Sequence, residues 1–281
     1  MNYRHAFHAG NFADVHKHAV LARILVHLRL KPAAFRVIDT HAGAGRYDLS
    51  GPQASRSGEW RNGIERLWAA REQQPQQTLL APYIEAVTAI NPSGKLRVYP
   101  GSPLIAESLL RAQDRLTACE LEPRAAASLA AALRGDRRAK AVAIDGWTAL
   151  NAYVPPKERR GVVLIDPPFE QSADFERLSD VVSQARRKWP TGIYMLWYPI
   201  KDRDAPDALA RRLRRLAVPN LLRCEVMLGA TNGEGALAGS GLIIVNPPFK
   251  LEPDLRILLP ALSKMLSFKA ASRIDWLAKE R

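Results

Sequence analysis

Apolar residues along the chain follow two rhythms in turn. Val15, Ala19, Leu21, Ile24, Leu25 and Leu28 fall at helical spacing and predict a helix over 12–30. Short β-branched or apolar runs predict strands at 35–39, 116–121, 140–144, 162–165, 192–197, 221–228 and 241–245, with a further short one near 97–99. Helical patterns separate most of them: 59–72, 76–90, a helix opened by Pro103 with Ser102 as its N-cap, 123–133, 147–153, 173–188 and 204–216. Such alternation predicts a parallel sheet covered by helices on both faces. Only the Gly-rich stretch Gly229–Gly239 separates the last two strands, so they are expected to form an antiparallel hairpin.

One interval is too long for this plan. A strand–helix–strand unit needs roughly 30 residues, and more than twice that separates Asp39 from Leu116. The surplus, about residues 50–95, reads as an inserted small helical subdomain within a single domain spanning 1–281.

Composition narrows the class. Of 281 residues 47% are apolar, which suits a globular core. No apolar run reaches the roughly 18 residues of a bilayer span, and the polar start lacks a signal-peptide core. Cys119 and Cys224 each lie in a strand-like run and read as reduced core residues of a cytoplasmic protein. The net charge of +13 is clustered, at Arg134/Arg137/Arg138/Lys140, Arg159-Arg160, Arg186-Arg187-Lys188 and Arg211-Arg212/Arg214-Arg215. That pattern points to a polyanionic partner, although the last group also reads as a solvated helix face.

Chemistry concentrates at predicted strand ends. Asp39 is followed by the small-residue loop His41-Ala42-Gly43-Ala44-Gly45, which lets backbone approach a ligand. Neither the full dinucleotide fingerprint nor a phosphate-loop lysine is present. Glu120 ends the next major strand, where an acid can hold ribose hydroxyls. Asp145-Gly146 ends the third and Asp166 the fourth. Asp166-Pro167-Pro168-Phe169 and Asn246-Pro247-Pro248-Phe249 each follow an apolar strand. In such a tetrad the polar head accepts hydrogens of a planar amino group. The prolines stiffen the turn and leave carbonyls free, and the ring can stack on a base.

The order of these motifs resembles that of S-adenosylmethionine-dependent amino-methyltransferases with the class I (Rossmann-like) fold. Further likeness lies in Tyr3-Arg4-His5-Ala6-Phe7-His8 through Asp14-Val15-His16-Lys17-His18, Asp39 through Arg46-Tyr47, Tyr99-Pro100-Gly101-Ser102-Pro103 and Thr191–Pro199. Over nearly its whole length the chain is similar to the RlmJ family. That resemblance implies a seven-stranded, mostly parallel sheet and methylation of an adenine N6 in 23S ribosomal RNA, with S-adenosyl-L-methionine as cofactor. It implies a cofactor pocket lined by His18, His41, Gly43, Ser102, Glu120, Asp145, Gly146 and Asp166. Asp166, Pro167 and Phe169 are implied as the catalytic turn, and Tyr3 and Lys17 as RNA contacts. Many relatives carry Tyr where this chain has Phe169, which keeps stacking and loses a hydroxyl. The expected partner is naked RNA or an early assembly intermediate, with no membrane and no obligatory protein partner.

Asp166 is expected to be the active copy, because the fourth strand borders the sulfonium in this architecture. Asn246 is expected to close the sheet as a turn, with Phe249 in the core. Three rivals remain. The same chemistry could act on another nucleic acid or a protein amide. The chain could be a decayed, RNA-binding module. Asp14, His16 and His18 could hold a metal in a hydrolase, although helix positions two apart do not share a face.

Overall fold

The computed structural model describes residues 4–71, 77–171, 173–229, 237–267 and 269–279. The first helix, α1 (Phe12–Arg29), is buried along nearly its whole length. It is wrapped on all sides rather than presenting one apolar stripe, so its polar residues Asp14, His16, Lys17 and His18 are interior groups. Asn11 caps it, its side chain accepting from the Asp14 N–H at 3.0 Å.

The central sheet starts with β1 (Arg36–Asp39). It continues with β4 (Arg115–Glu120), β5 (Ala139–Ala143), β6 (Gly161–Ile165) and β7 (Ile193–Ile200), all running parallel. β8 (Leu221–Met227) and β9 (Gly239–Val245) pair antiparallel, as the Gly-rich spacing predicts. β9, however, lies between β7 and β8 and pairs antiparallel with both. An eighth strand, β10 (Ala271–Ala278), extends the sheet beyond the expected seven and gives the order β10-β8-β9-β7-β6-β1-β4-β5. Its sequence, ASRIDWLA, lacks an apolar run because it is an edge strand. It is fastened instead by Arg223 to Asp275 at 2.8 Å and by the Trp276 indole donating to Glu252 at 2.7 Å.

A small second sheet pairs β2 (Arg46–Asp48), a three-residue strand that escaped the sequence pattern, with β3 (Val98–Pro100), the short strand expected near 97–99. Between them lie α2 (Pro52–Ser57), α3 (Ile64–Ala70) and α4 (Gln77–Ala89). One face of the main sheet packs on α1, α5 (Ser102–Ser108), α6 (Pro123–Ala132) and α10 (Leu251–Leu266). The other face packs on α7 (Gly146–Tyr153), α8 (Asp174–Lys188) and α9 (Asp204–Arg215). Cys119 and Cys224 are free and buried on β4 and β8. Among the described residues no helix is long and apolar enough to cross a membrane.

Candidate active site

A cavity of about 860 Å³ opens at the carboxyl ends of β1, β4, β5 and β6. That is the edge where open α/β sheets place ligands, because the strands end there and the following loops diverge. His18, His41, Gly43, Ser102, Glu120, Asp145, Gly146 and Asp166 all line it, and so does Lys17. Residues from six separate segments therefore meet in one cavity.

The wall is built around backbone N–H groups and missing side chains. Glu120 accepts from the Gly43 N–H at 2.9 Å and from the Glu122 N–H at 2.8 Å, so its carboxylate holds the glycine loop against the end of β4. Gly43 is left-handed (φ 62°), and a Cβ there would lie 2.2 Å from the Tyr47 hydroxyl. Asp145 caps α7, accepting from the Trp147 N–H at 3.1 Å. A Cβ on Gly146 would meet the Thr40 carbonyl at 2.3 Å and the His41 ring at 2.6 Å, so no other residue fits. His41 packs edge-on against Trp147 at 5.3 Å, and burial lowers its pKa to about 4, leaving it neutral.

Asp166 lies at the other side of the cavity and forms an ion pair with Lys17. The Lys17 ammonium also pairs with Asp14 at 2.9 Å, and Asp14 accepts from His5 and from the Gly10 N–H, at 3.0 and 2.9 Å. Burial alone would raise the Asp14 pKa, but the charges of His5 and Lys17 hold it well below the usual carboxylate range. Burial would likewise lower Lys17, yet the two aspartates drive it well above an ordinary lysine. The ammonium is therefore charged and shared between two carboxylates. His18 donates to or accepts from Tyr99 at 2.6 Å, and Tyr99 is bonded to Tyr83 at 2.8 Å. Burial lowers His18 to about 3, and its Nε2 is buried with no hydrogen-bond partner among the described residues.

Residues 32–278 match the family model described as "Ribosomal RNA large subunit methyltransferase D, RlmJ". The chain is 39% identical over 282 residues to the ribosomal RNA large subunit methyltransferase J of Escherichia coli K12 and 36% identical over 283 residues to that of Haemophilus influenzae Rd, with full coverage of both chains each time. The chain belongs to the RlmJ family. A crystal structure from Legionella pneumophila Philadelphia 1 is also similar, at 33% identity and a TM-score of 0.88, covering 95% of this chain and 98% of that one. The RlmJ fold is accordingly a class I methyltransferase fold.

Not every expected residue of this RlmJ chain reaches the cavity. Pro167 is buried and Pro168 lines the wall in its place. Phe169 has a left-handed φ of 50°, which turns its ring beside Phe175 (4.6 Å) and edge-on to Trp197 (5.8 Å). Tyr3 lies outside the described residues. The second tetrad departs from expectation. Phe249 is 94% exposed, not packed in the core. β9 runs against β7 with Val245 opposite Tyr194, so Asn246 stands beside the start of β7, at the sheet edge remote from the cavity. Its side chain donates to the Pro190 and Gly192 carbonyls at 2.7 and 2.9 Å.

The helix that opens the RlmJ chain also divides the histidines. His16 points into the core toward Ser240 (3.0 Å) and Cys224, while His18 turns to Tyr99 and Asp14 to Lys17. A shared metal site from these three is overturned by that divergence. Arg4, Thr40, Trp147, Gln171 and Arg177 line the cavity without having been anticipated. Arg4 and Thr40 stand inside motifs that carry the family resemblance, which implies no role for them, and Arg177 reaches the cavity from α8, its guanidinium over the Trp147 ring at 4.7 Å.

Asp39 supplies a pH-dependent term. Burial at the end of β1 raises its pKa from 3.8 to about 7. Ser102 and the His41 N–H lie close enough to oppose the rise without meeting hydrogen-bond geometry, so both carboxyl oxygens lack a partner among the described residues. A folded value above the unfolded one means that the native state binds the proton more tightly. The carboxyl thus costs nothing below about pH 4 and becomes destabilising as pH rises toward 7. A shift from 3.8 to about 7 corresponds to roughly 4 kcal/mol. Asp39→Asn is expected to match the parent in urea unfolding at pH 4 and to exceed it by up to that amount at pH 8. A variant less stable than the parent at pH 8 would show that the carboxylate is satisfied.

Proposed function

We propose that the chain transfers a methyl group from S-adenosyl-L-methionine to the exocyclic N6 of an adenine in 23S ribosomal RNA. The observation that carries this reading is the single carboxylate of Asp166. It ends β6 inside a cavity whose other wall is shaped for a nucleoside. Six carboxylates line that cavity (Glu120, Glu122, Asp145, Asp166, Glu170, Asp174) against four cations, one of which, Lys17, is already paired. An acidic cavity suits a cationic sulfonium donor. Gly43 and Gly146 keep the small-residue wall close-packed on Tyr47, Thr40 and His41, and Glu120 and Asp145 offer acceptors to a nucleoside. When bound, the donor supplies an electrophilic methyl group.

The chain's own residues address the weakness of the acceptor. An adenine amino lone pair is delocalised into the ring and is a poor nucleophile. Asp166, with a proline backbone carbonyl of the turn, accepts hydrogen bonds from both amino hydrogens and favours a tetrahedral nitrogen. Lys17 pairs with Asp166 and fixes its direction from the buried side. The gain is mainly positioning and electrostatics, with the proton passing to Asp166 after methyl transfer. The base must leave its stack to reach the cavity, and an aromatic contact with Phe169, which stands between the lining residues Pro168 and Glu170, would offset part of that cost. The names of the relatives favour ribosomal RNA over a protein amide.

The test is methyl transfer from labelled cofactor to total RNA from a strain lacking this enzyme. Label is expected in one adenine of the large-subunit RNA, released as N6-methyladenosine on digestion. Label in another base, or only in protein, would overturn the assignment.

A further inference from the structure

The basic clusters of the sequence do not surround the cavity. They lie at the opposite edge of the sheet, where β1, β4, β5, β6, β7 and β8 begin and where β9 and β10 end. The segments at that edge are 29–36, 111–115, 134–140, 157–160, 186–192, 211–220 and 246–250. Together they hold 20 of the 41 lysines and arginines but only three of the 28 acids. What remains is 21 cations against 25 acids, so the rest of the chain is net acidic and this one edge accounts for the positive charge of the protein. Some of these cations are tied inward, as Arg36 is to Glu158 at 2.9 Å and Arg138 is to Asp136. Arg134, Arg137, Arg159, Arg211, Arg215 and Lys250 are exposed, and their side chains form no hydrogen bond or ion pair with a described residue. From β5 to β8 the belt crosses six strand spacings, or about 29 Å.

The second tetrad stands within this belt. Asn246 is left-handed (φ 51°), its N–H donates to the Asn220 carbonyl at 3.0 Å, and its side chain clamps the loop before β7. The Leu251 N–H closes the turn on the Pro248 carbonyl at 2.8 Å. The turn is thus anchored through Asn246 to the segments that follow the basic ends of α8 and α9, and three residues on it leaves Phe249 exposed to solvent. An aromatic ring fixed in solvent among unpaired cations is the pairing that single-stranded bases and phosphates recognise.

We propose that this edge is a second RNA-binding surface, taking the phosphate backbone of structured RNA along the belt and an unpaired base on Phe249. It rests on the reading of RNA as substrate. The five residues of β6 put it roughly 17 Å from Asp166, so it would grip a part of the RNA other than the reacting base.

The test combines Phe249→Ala with Arg159→Glu and Arg215→Glu, and compares an unmethylated full-length large-subunit transcript with a short stem-loop carrying the target adenine. Expected is at least a tenfold loss of affinity for the transcript and a shallower salt dependence, by roughly 0.7–0.9 in log–log slope per contact removed. Turnover on the stem-loop and cofactor affinity should be unchanged. Phe249→Tyr alone should keep the parent affinity. Asp166→Ala should bind the transcript as the parent does, so loss of methyl transfer and loss of this surface are read separately. Unchanged affinity and salt slope in the triple variant would overturn the proposal, and so would an equal loss on the stem-loop.

Discussion

Asp166→Ala is expected to lower turnover by at least about a hundredfold, measured with saturating cofactor and RNA. The carboxylate is the one acceptor at the end of β6 that faces the cavity, and no neighbouring side chain can take its position. Thr40 bonds to His41 and to the Leu164 carbonyl, and Asp174 lies on the next helix. The fold should survive, because Lys17 retains Asp14 at 2.9 Å and is not stranded. A variant with a normal melting temperature, cofactor affinity near that of the parent and collapsed turnover would assign Asp166 to the chemical step. Near-normal turnover would remove it from that role. Asn246 could not replace it, since it stands at the opposite end of the strands.

Lys17→Met is expected to have the second largest effect, on stability as well as rate. The Lys17 side chain is 5% exposed and Asp14 2%. Removing the ammonium leaves Asp14 buried with only His5 and backbone N–H groups, and deprives Asp166 of its counter-ion. Breaking a buried pair from one side costs about 3–5 kcal/mol, because the remaining charge stays desolvated. Urea unfolding at pH 7.5 should show that loss, and turnover should fall as Asp166 loses its orientation. Adding Asp14→Asn should restore much of the stability, since the stranded carboxylate is gone, and none of the activity. Recovery of both would mean that Lys17 serves the fold alone, while a stable Lys17→Met single variant would mean that Asp14 finds another partner.

The sequence determined much of this by itself. Helical and strand periods placed β1, β4, β5 and β6 to within one residue and β7 to within three, because each is a short apolar run bounded by Gly, Pro or a charged turn. Once those strands are parallel, the acids that close them must share one edge, so Glu120, Asp145 and Asp166 were legible as a single site. β2 and β10 were not, because one is three residues long and the other is a mixed-charge edge strand held by side-chain bonds. Nor were the network partners of Asp166. Asp14 reads as a candidate metal ligand and Lys17 as an RNA contact, and only the wrapping of α1 on every side makes them paired interior charges.

The two tetrads mark the division between what the sequence determines and what the tertiary structure decides. Each follows a five-residue apolar run and carries two prolines and a phenylalanine, so local chemistry makes them near equivalents. Strand direction separates them. β6 runs with its neighbours and delivers Asp166 to the cavity, whereas β9 is inserted antiparallel between β7 and β8 and delivers Asn246 and Phe249 to the basic edge. Pairing partners are long-range choices made by the whole sheet, so no local stretch of sequence records which end of the molecule a turn will face.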